Sequence, residues 1–279
     1  MTLSPVILQC GKYRLPLNRP LVMGIVNITP DSFSDGGRFL ARDQAIAHAR
    51  QLIADGADLI DLGGESTRPG APSATLDEEL ARVMPALEAV VGDGVPVSVD
   101  TQKTEVMRAA IAAGAAMIND VNALQAPGAV EVCANSDVAI CLMHKQGTPQ
   151  TMQAAPHYDD VLAEVGDFLQ ARARVCEAAG VAHERIVIDP GFGFGKTVEH
   201  NFTLLRELRA LTRLGYPLLA GYSRKTSLGI ITGRPVDERL AASLAAALIA
   251  AQNGAAILRV HDVRETVDVL KVLAATRRK

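Results

Sequence analysis

The 279-residue sequence has no tryptophan, and aromatic residues make up only 4% of it although 48% is hydrophobic. Its core must therefore be built from Ala, Val, Ile and Leu, the vocabulary of parallel strands covered on both faces by helices. Charge is nearly balanced, with a formal net charge of −3, and no basic tract occurs. Neither nucleic acid nor an anionic membrane is therefore expected as a partner. Only four cysteines are present, Cys10, Cys133, Cys141 and Cys176. They show no C-x-x-C spacing and lie in apolar surroundings, so buried reduced thiols are expected rather than a disulfide framework or a zinc site. The longest apolar run, LAASLAAALIAAQNGAAIL from Leu240, is broken by Ser, Gln, Asn and Gly. It reads as a buried helix leading into a strand. The first residues lack the charged and apolar regions of a secretory signal, so a cytoplasmic protein is expected. No Pro/Gly/Ser-rich linker or low-complexity segment divides the chain, and residues 1–279 read as one domain.

What is present is a repeat of short β-rich runs separated by Ala-rich helical patterns. The runs are LVMGIVNIT from Leu21, DLIDLGG from Asp58, VPVSVDT from Val95, AMINDVNA from Ala116, VAICLMH from Val138, RIVIDPG from Arg185, YPLLAGYS from Tyr216 and AAILRVHDV from Ala255. Strands alternating with helices predict βαβ units and a parallel sheet. Eight repeats over this length fit a closed (β/α)8 TIM barrel, with an open doubly wound sheet as the competitor. Upstream, VILQCGKYRLPL alternates around Gly11-Lys12 and predicts a β-hairpin closing the barrel floor.

Each run ends on polar residues that are costly to bury without partners. In order they are Asn27, Glu65 with Thr67 and Arg68, Asp100, Asn119, His144, Asp189, Ser223 with Arg224 and Lys225, and Arg259 with His261. In a barrel these ends converge on one mouth, where active sites form. Two chemical subsets separate there. Asp100, Asn119 and Asp189 suit the edge of a flat heterocycle with adjacent N–H groups, because a carboxylate accepts two parallel hydrogen bonds; Lys225 suits a ring carbonyl. Arg68, Arg259 and His261, with Asn27, suit a phosphate or pyrophosphate. Asn27 alone is a weak Mg2+ ligand, yet Mg2+ commonly binds through one or two protein groups plus phosphate oxygens. No nucleophile–base pair is apparent, so a covalent enzyme intermediate is not indicated. Two polar, Gly-rich stretches at this mouth, Thr29 to Phe39 and Gly63 to Thr75, are candidate lids.

One stretch invites a nucleotide-binding reading. In DPGFGFGKT, Asp189 to Thr197, the chain ends on Gly-Lys-Thr as a P-loop does. The first glycine of that motif would fall on Pro190, which has no N–H, and the third glycine of G-x-G-x-x-G would fall on Lys196. Both readings fail. A strand ending in a carboxylate and followed by a glycine-rich turn remains, with the glycines passing close to a ligand and Lys196-Thr197 opening the next helix.

MGIVNITPDSFSDGGRF, DLGGESTRPGA, VSVDT, MINDV, MHKQGTPQTMQ, IDPGFGFGKT, GYSRKTSLG and LRVHDV together resemble dihydropteroate synthase across essentially the whole chain. The resemblance implies a (β/α)8 barrel that condenses 6-hydroxymethyl-7,8-dihydropterin pyrophosphate with p-aminobenzoate, releasing pyrophosphate and 7,8-dihydropteroate, with Mg2+. By matching position it implies a pterin pocket of Asp100, Asn119, Asp189 and Lys225. It implies a pyrophosphate and Mg2+ site of Asn27, Arg68, Arg259 and His261, with Asn27 toward the metal. Thr67, Arg68, Pro69, Phe194 and Ser223 would form the p-aminobenzoate surface that sulfonamides occupy by mimicry. Asp100, Lys225, Arg259 and His261 would carry the reaction: pyrophosphate leaves first, and the aromatic amine captures the resulting cation. Ordered binding and a homodimer formed through the later helices are also implied. Lys145 stands where an apolar Met is common in the family. The alternatives are a pterin-binding methyltransferase domain, from which the Ser-x-Lys and Arg-x-His groups should be missing, and a catalytically silent pterin-binding paralogue.

Overall fold

The computed structural model describes residues 6–28, 37–66, 73–147, 152 and 155–277, with the backbone alone for 37–41 and 277. Eight parallel strands close into a barrel. In chain order after an N-terminal pair (β1 Ile7–Cys10 and β2 Tyr13–Pro16), they are β3 Leu21–Asn27, β4 Leu59–Gly63, β5 Val97–Asp100, β6 Met117–Asp120, β7 Ala139–Met143, β8 Ile186–Asp189, β9 Leu218–Ala220 and β10 Ala255–Val260. Each pairs with its sequence neighbours, and β10 pairs with both β9 and β3 to close the ring. The open-sheet competitor is thereby set aside. The helices include α1 Gly37–Ala54, α2 Leu76–Val90, α3 Thr104–Ala112, α4 Ala129–Ala134, α5 Val161–Ala178, α6 Val198–Arg206, α7 Leu208–Leu211, α8 Thr226–Thr232, α9 Leu240–Gln252 and α10 Val263–Arg277.

The period of two along each strand sorts side chains into two apolar clusters. Ile60, Leu62, Val97, Val99, Ile118, Ile140, Leu142, Ile186 and Ile188 point outward and are buried under the helices. The alternate residues Leu21, Met23, Leu59, Met117, Ala139, Cys141, Val187, Leu219 and Ile257 fill the lower interior. The β1–β2 hairpin turns at Gly11, whose φ of 55° suits glycine. Its Leu8 and Cys10 join the interior cluster from below. Gly11 N–H donates to the Asp137 carbonyl at 3.2 Å and Cys10 Sγ to the Ala116 carbonyl at 3.3 Å. The hairpin is the barrel floor.

All four cysteines are buried and unpaired. Burial pushes the Cys10 and Cys133 thiols up to about 12 and Cys176 up to about 11, so none is a ready nucleophile.

Candidate active site

Above the apolar layer the same inward positions become polar. Register puts Ile25 beside Asp61 and Asp61 beside Ser98; one step higher, Asn27, Gly63, Asp100 and Asn119 line up across four adjacent strands. Met143 sits beside Asp189, and Arg259 and His261 rise from β10 next to β3. Asp100, Asn119, Asp189, Lys225 and Arg259 line one cleft, with Phe192 and Phe194 among its apolar walls. The four residues expected around a heterocycle therefore share one cavity.

Arg259 joins the two subsets that the sequence separates. Its Nη2 donates to Asp100 at 2.8 Å and its Nε to Asp61 Oδ2 at 2.6 Å. The same Asp61 oxygen accepts from Asn119 Nδ2 at 3.1 Å. Asp61 is fully buried and sits at the base of the site, yet sequence reasoning missed it because it lies mid-strand. The available signal was parity: Asp61 shares the inward face with Leu59 and Gly63. Among the described residues its Oδ1 has no hydrogen-bond partner.

These surroundings set the charges. Burial pushes the Asp100 carboxyl up to about 7, opposed by the Arg259 guanidinium and reinforced by Asp61 and Asp120. Burial likewise lifts Asp189 to about 6, against the Gly191 N–H, Lys225 and Arg259. His261 is drawn down to about 3 by burial and by Arg224 and Arg259. At neutral pH it is therefore a neutral imidazole. Its Nδ1 lies 3.0 Å from Ser223 Oγ, which also accepts the His261 backbone N–H at 3.3 Å. Ser223 is thus placed against His261. Arg224 adopts φ 58°, and its pair with Asp262 ties this loop to the segment carrying His261.

After β8, Asp189 Oδ1 accepts the Gly191 N–H at 2.7 Å. Phe192 stacks on Tyr222 at 4.6 Å, and Phe194 carries the Lys225 ammonium 4.1 Å above its ring. Two of the glycines of this turn make room for neighbouring backbone. A Cβ at Gly191 would collide with the His144 carbonyl, and one at Gly195 with the Gln146 carbonyl. Both also hold φ near 65°, so this turn is pressed against the end of β7. Thr197 caps α6, as expected, but Lys196 turns inward and is buried. His144 faces outward, as its parity dictates; its ring lies 5.0 Å from Phe168, away from the cleft. Glu65 is bonded to Lys103 and Ser73 beside the mouth. Thr67, Arg68 and Pro69, most of the Thr29–Phe39 stretch and part of the Gly63–Thr75 stretch lie outside the described residues.

The model of the pterin-binding enzyme family matches residues 23–261. The chain belongs to the dihydropteroate synthase family of pterin-binding enzymes. It is 53% identical over 272 residues to dihydropteroate synthase of Neisseria meningitidis serogroup C, covering 96% of both chains. Among solved structures, Xanthomonas albilineans dihydropteroate synthase with 4-aminobenzoic acid superposes with a TM-score of 0.94 at 53% identity, covering 99% of this chain and 100% of that one. Burkholderia cenocepacia dihydropteroate synthase complexed with 7,8-dihydropteroate follows with a TM-score of 0.90 at 53% identity, covering 99% and 98%. As a family member, the chain places its match from β3 to His261, the span that carries every described polar residue of the mouth.

Proposed function

We infer that this chain catalyses dihydropteroate synthesis in folate biosynthesis, transferring a pterinylmethyl group from its pyrophosphate ester to the amine of p-aminobenzoate. The observation that carries the assignment of roles is the cleft in which Asp100, Asn119, Asp189 and Lys225 converge beside Arg259. Ionised Asp189 and Asp100 accept the ring N–H groups, Asn119 supplies a donor and an acceptor, and Lys225 donates to the ring carbonyl. Departure of pyrophosphate leaves positive charge on the pterin, which Asp100 stabilises through the ring N–H groups. Arg259 holds Asp100 in place and, with Arg68 and neutral His261, donates to the leaving anion. Phe194 and Ser223 serve p-aminobenzoate, where sulfonamides compete, and the family resemblance adds Thr67, Arg68 and Pro69 to that set. Ordering of p-aminobenzoate binding after the pterin belongs to the same reading.

The donor set fits Mg2+ carried with pyrophosphate. Asn27 offers a neutral oxygen at the mouth, and among the described residues no group of three or more His, Cys, Asp or Glu forms a metal cage. Such a cation would rely on substrate oxygens for most of its shell. Bound, it would neutralise charge on the departing phosphates. A homodimer is supported by exposed Ile230 and Ile231 on α8, Val236, and Leu240 and Ile249 on α9. Cytoplasmic residence is in keeping with the buried thiols, and among the described residues no helix is long and apolar enough to cross a membrane.

The test is incorporation of labelled p-aminobenzoate by purified protein, with and without Mg2+. Dihydropteroate formation that is lost on chelation is expected. Pterin pyrophosphate binding without turnover would instead identify a silent paralogue. Sedimentation of the parent and of an Ile230→Glu, Ile249→Glu double variant tests the dimer, which the double variant should dissociate.

A further inference from the structure

Lys196 takes no part in the scheme above, yet it is 2% exposed. Its ammonium lies 2.9 Å from His144 Nδ1 and donates to the carbonyls of Gly191 at 3.0 Å and Phe194 at 3.1 Å. The His144 carbonyl lies at 3.4 Å as well, so three N–H donors are shared among four acceptors. Removing an ammonium from water is costly, and burial draws Lys196 down to about 7, with Asp189 opposing the shift. An apolar side chain of the same length would avoid that cost. The lysine's return must lie in what it holds.

It holds both ends of one turn. Phe194 N–H donates back to the Gly191 carbonyl at 3.2 Å, and the same carbonyl accepts from Lys196. The segment is supported on its other side by Asn201, whose Oδ1 accepts the Gly193 N–H at 2.7 Å, and by the Tyr158 hydroxyl, which donates to the Gly195 carbonyl at 2.8 Å. The Phe194 ring and the Lys225 ammonium over it both line the cleft, and Lys196 does not.

We propose that Lys196 is a positioning residue for the second substrate: by gathering the Gly191 and Phe194 carbonyls and His144 Nδ1 on one ammonium, it fixes the Phe194 ring in the face presented to p-aminobenzoate. The proposal rests on the assignment of Phe194 to that face. Lys196 acts through Phe194, so the two residues should not contribute independently.

The experiment compares Lys196→Met, Phe194→Ala and the double variant with the parent. It reads KM for p-aminobenzoate, kcat, pterin pyrophosphate affinity by calorimetry, and Tm. Lys196→Met should raise the p-aminobenzoate KM about tenfold while pterin affinity stays within twofold, and in the Phe194→Ala background it should add less than twofold. Three results overturn the proposal: an unchanged KM, equal losses for both substrates, or multiplicative effects in the double variant. If Phe194→Ala alone leaves the p-aminobenzoate KM unchanged, the assignment of that face fails and the proposal with it. If Phe194→Ala raises KM and Lys196→Met does not, only the role of Lys196 is lost. Should the methionine variant not fold, Lys196→Gln, which keeps two N–H donors, carries the same test; it should retain part of the effect of lysine on KM.

Discussion

The lower and upper halves of the barrel interior are built by the same strands with the same period of two, and they obey opposite rules. Below, Met23, Leu59, Met117, Val187 and Ile257 fill the space with side chains that need no partner. Above, Asp61, Asp100, Asn119, Asp189 and Arg259 occupy the next inward positions; Asp61, Asp100, Asn119 and Arg259 are bonded to one another and Asp189 to the Gly191 N–H. The transition takes one residue pair: Leu59 and Asp61 are two apart on β4, both fully buried. The lower layer gains free energy by leaving water. The upper layer holds carboxylates whose pKa values burial has raised, a cost that a ligand with N–H donors would offset.

The two halves should respond differently to perturbation, beginning with the largest effect. Asp189→Ala removes an acceptor for charged hydrogen bonds and should lower pterin affinity at least 100-fold, or about 3 kcal/mol, with Tm unchanged or raised. Calorimetry and a thermal melt check both halves of that statement, and unaltered affinity would refute the pocket. Leu59→Ala should do the reverse, costing about 2–5 kcal/mol of stability while KM for both substrates stays within twofold; denaturant titration and kinetics decide.

The pH dependence is a smaller effect. Burial pushes Asp189 up to about 6 in the folded chain from an ordinary value of 3.8, so the folded state binds more protons between these values. That contribution to stability is complete below about pH 4 and is lost as pH rises through about 6. On the proposed function ligand affinity runs the other way, because an ionised carboxylate would accept the ring N–H. Pterin affinity should rise up to about tenfold from pH 5 to pH 7, and Asp189→Ala should flatten the Asp189 part of the curve.

The smallest effect is expected at Lys145, which is half-buried with its Nζ 3.4 Å from Gln102 Oε1. It is absent from the cleft wall. Lys145→Met should change kcat/KM by less than about twofold and stability by about 0.5 kcal/mol or less. A tenfold loss would show that this strand end is more than rim.

Periodicity alone makes most of the fold legible in the sequence. Runs such as RIVIDPG and AAILRVHDV announce buried parallel strands ending in costly polar residues, and eight of them imply a barrel mouth. Asp100, Asn119 and Asp189 were legible because they fall where apolar runs stop. Asp61 was not, because an acid within DLIDLGG is indistinguishable from a polar strand end until register gives its parity. His144 failed the same test in the other direction: it ends a run, yet faces the helices.

The amino-acid sequence by itself determined the barrel, its floor hairpin and the set of side chains at its rim, since these follow from local period and from the cost of burying polar groups. Only the tertiary structure decided which of them share a charge. Arg259 spans Asp61 and Asp100 across 159 or more residues of chain. The Gly-Lys-Thr that imitates a phosphate loop carries a buried ammonium bonded to carbonyls of the same turn, and the glycines Gly191 and Gly195 make room for the neighbouring backbone. Such pairings depend on strand closure and side-chain direction, which bring together atoms that no local stretch of sequence places side by side.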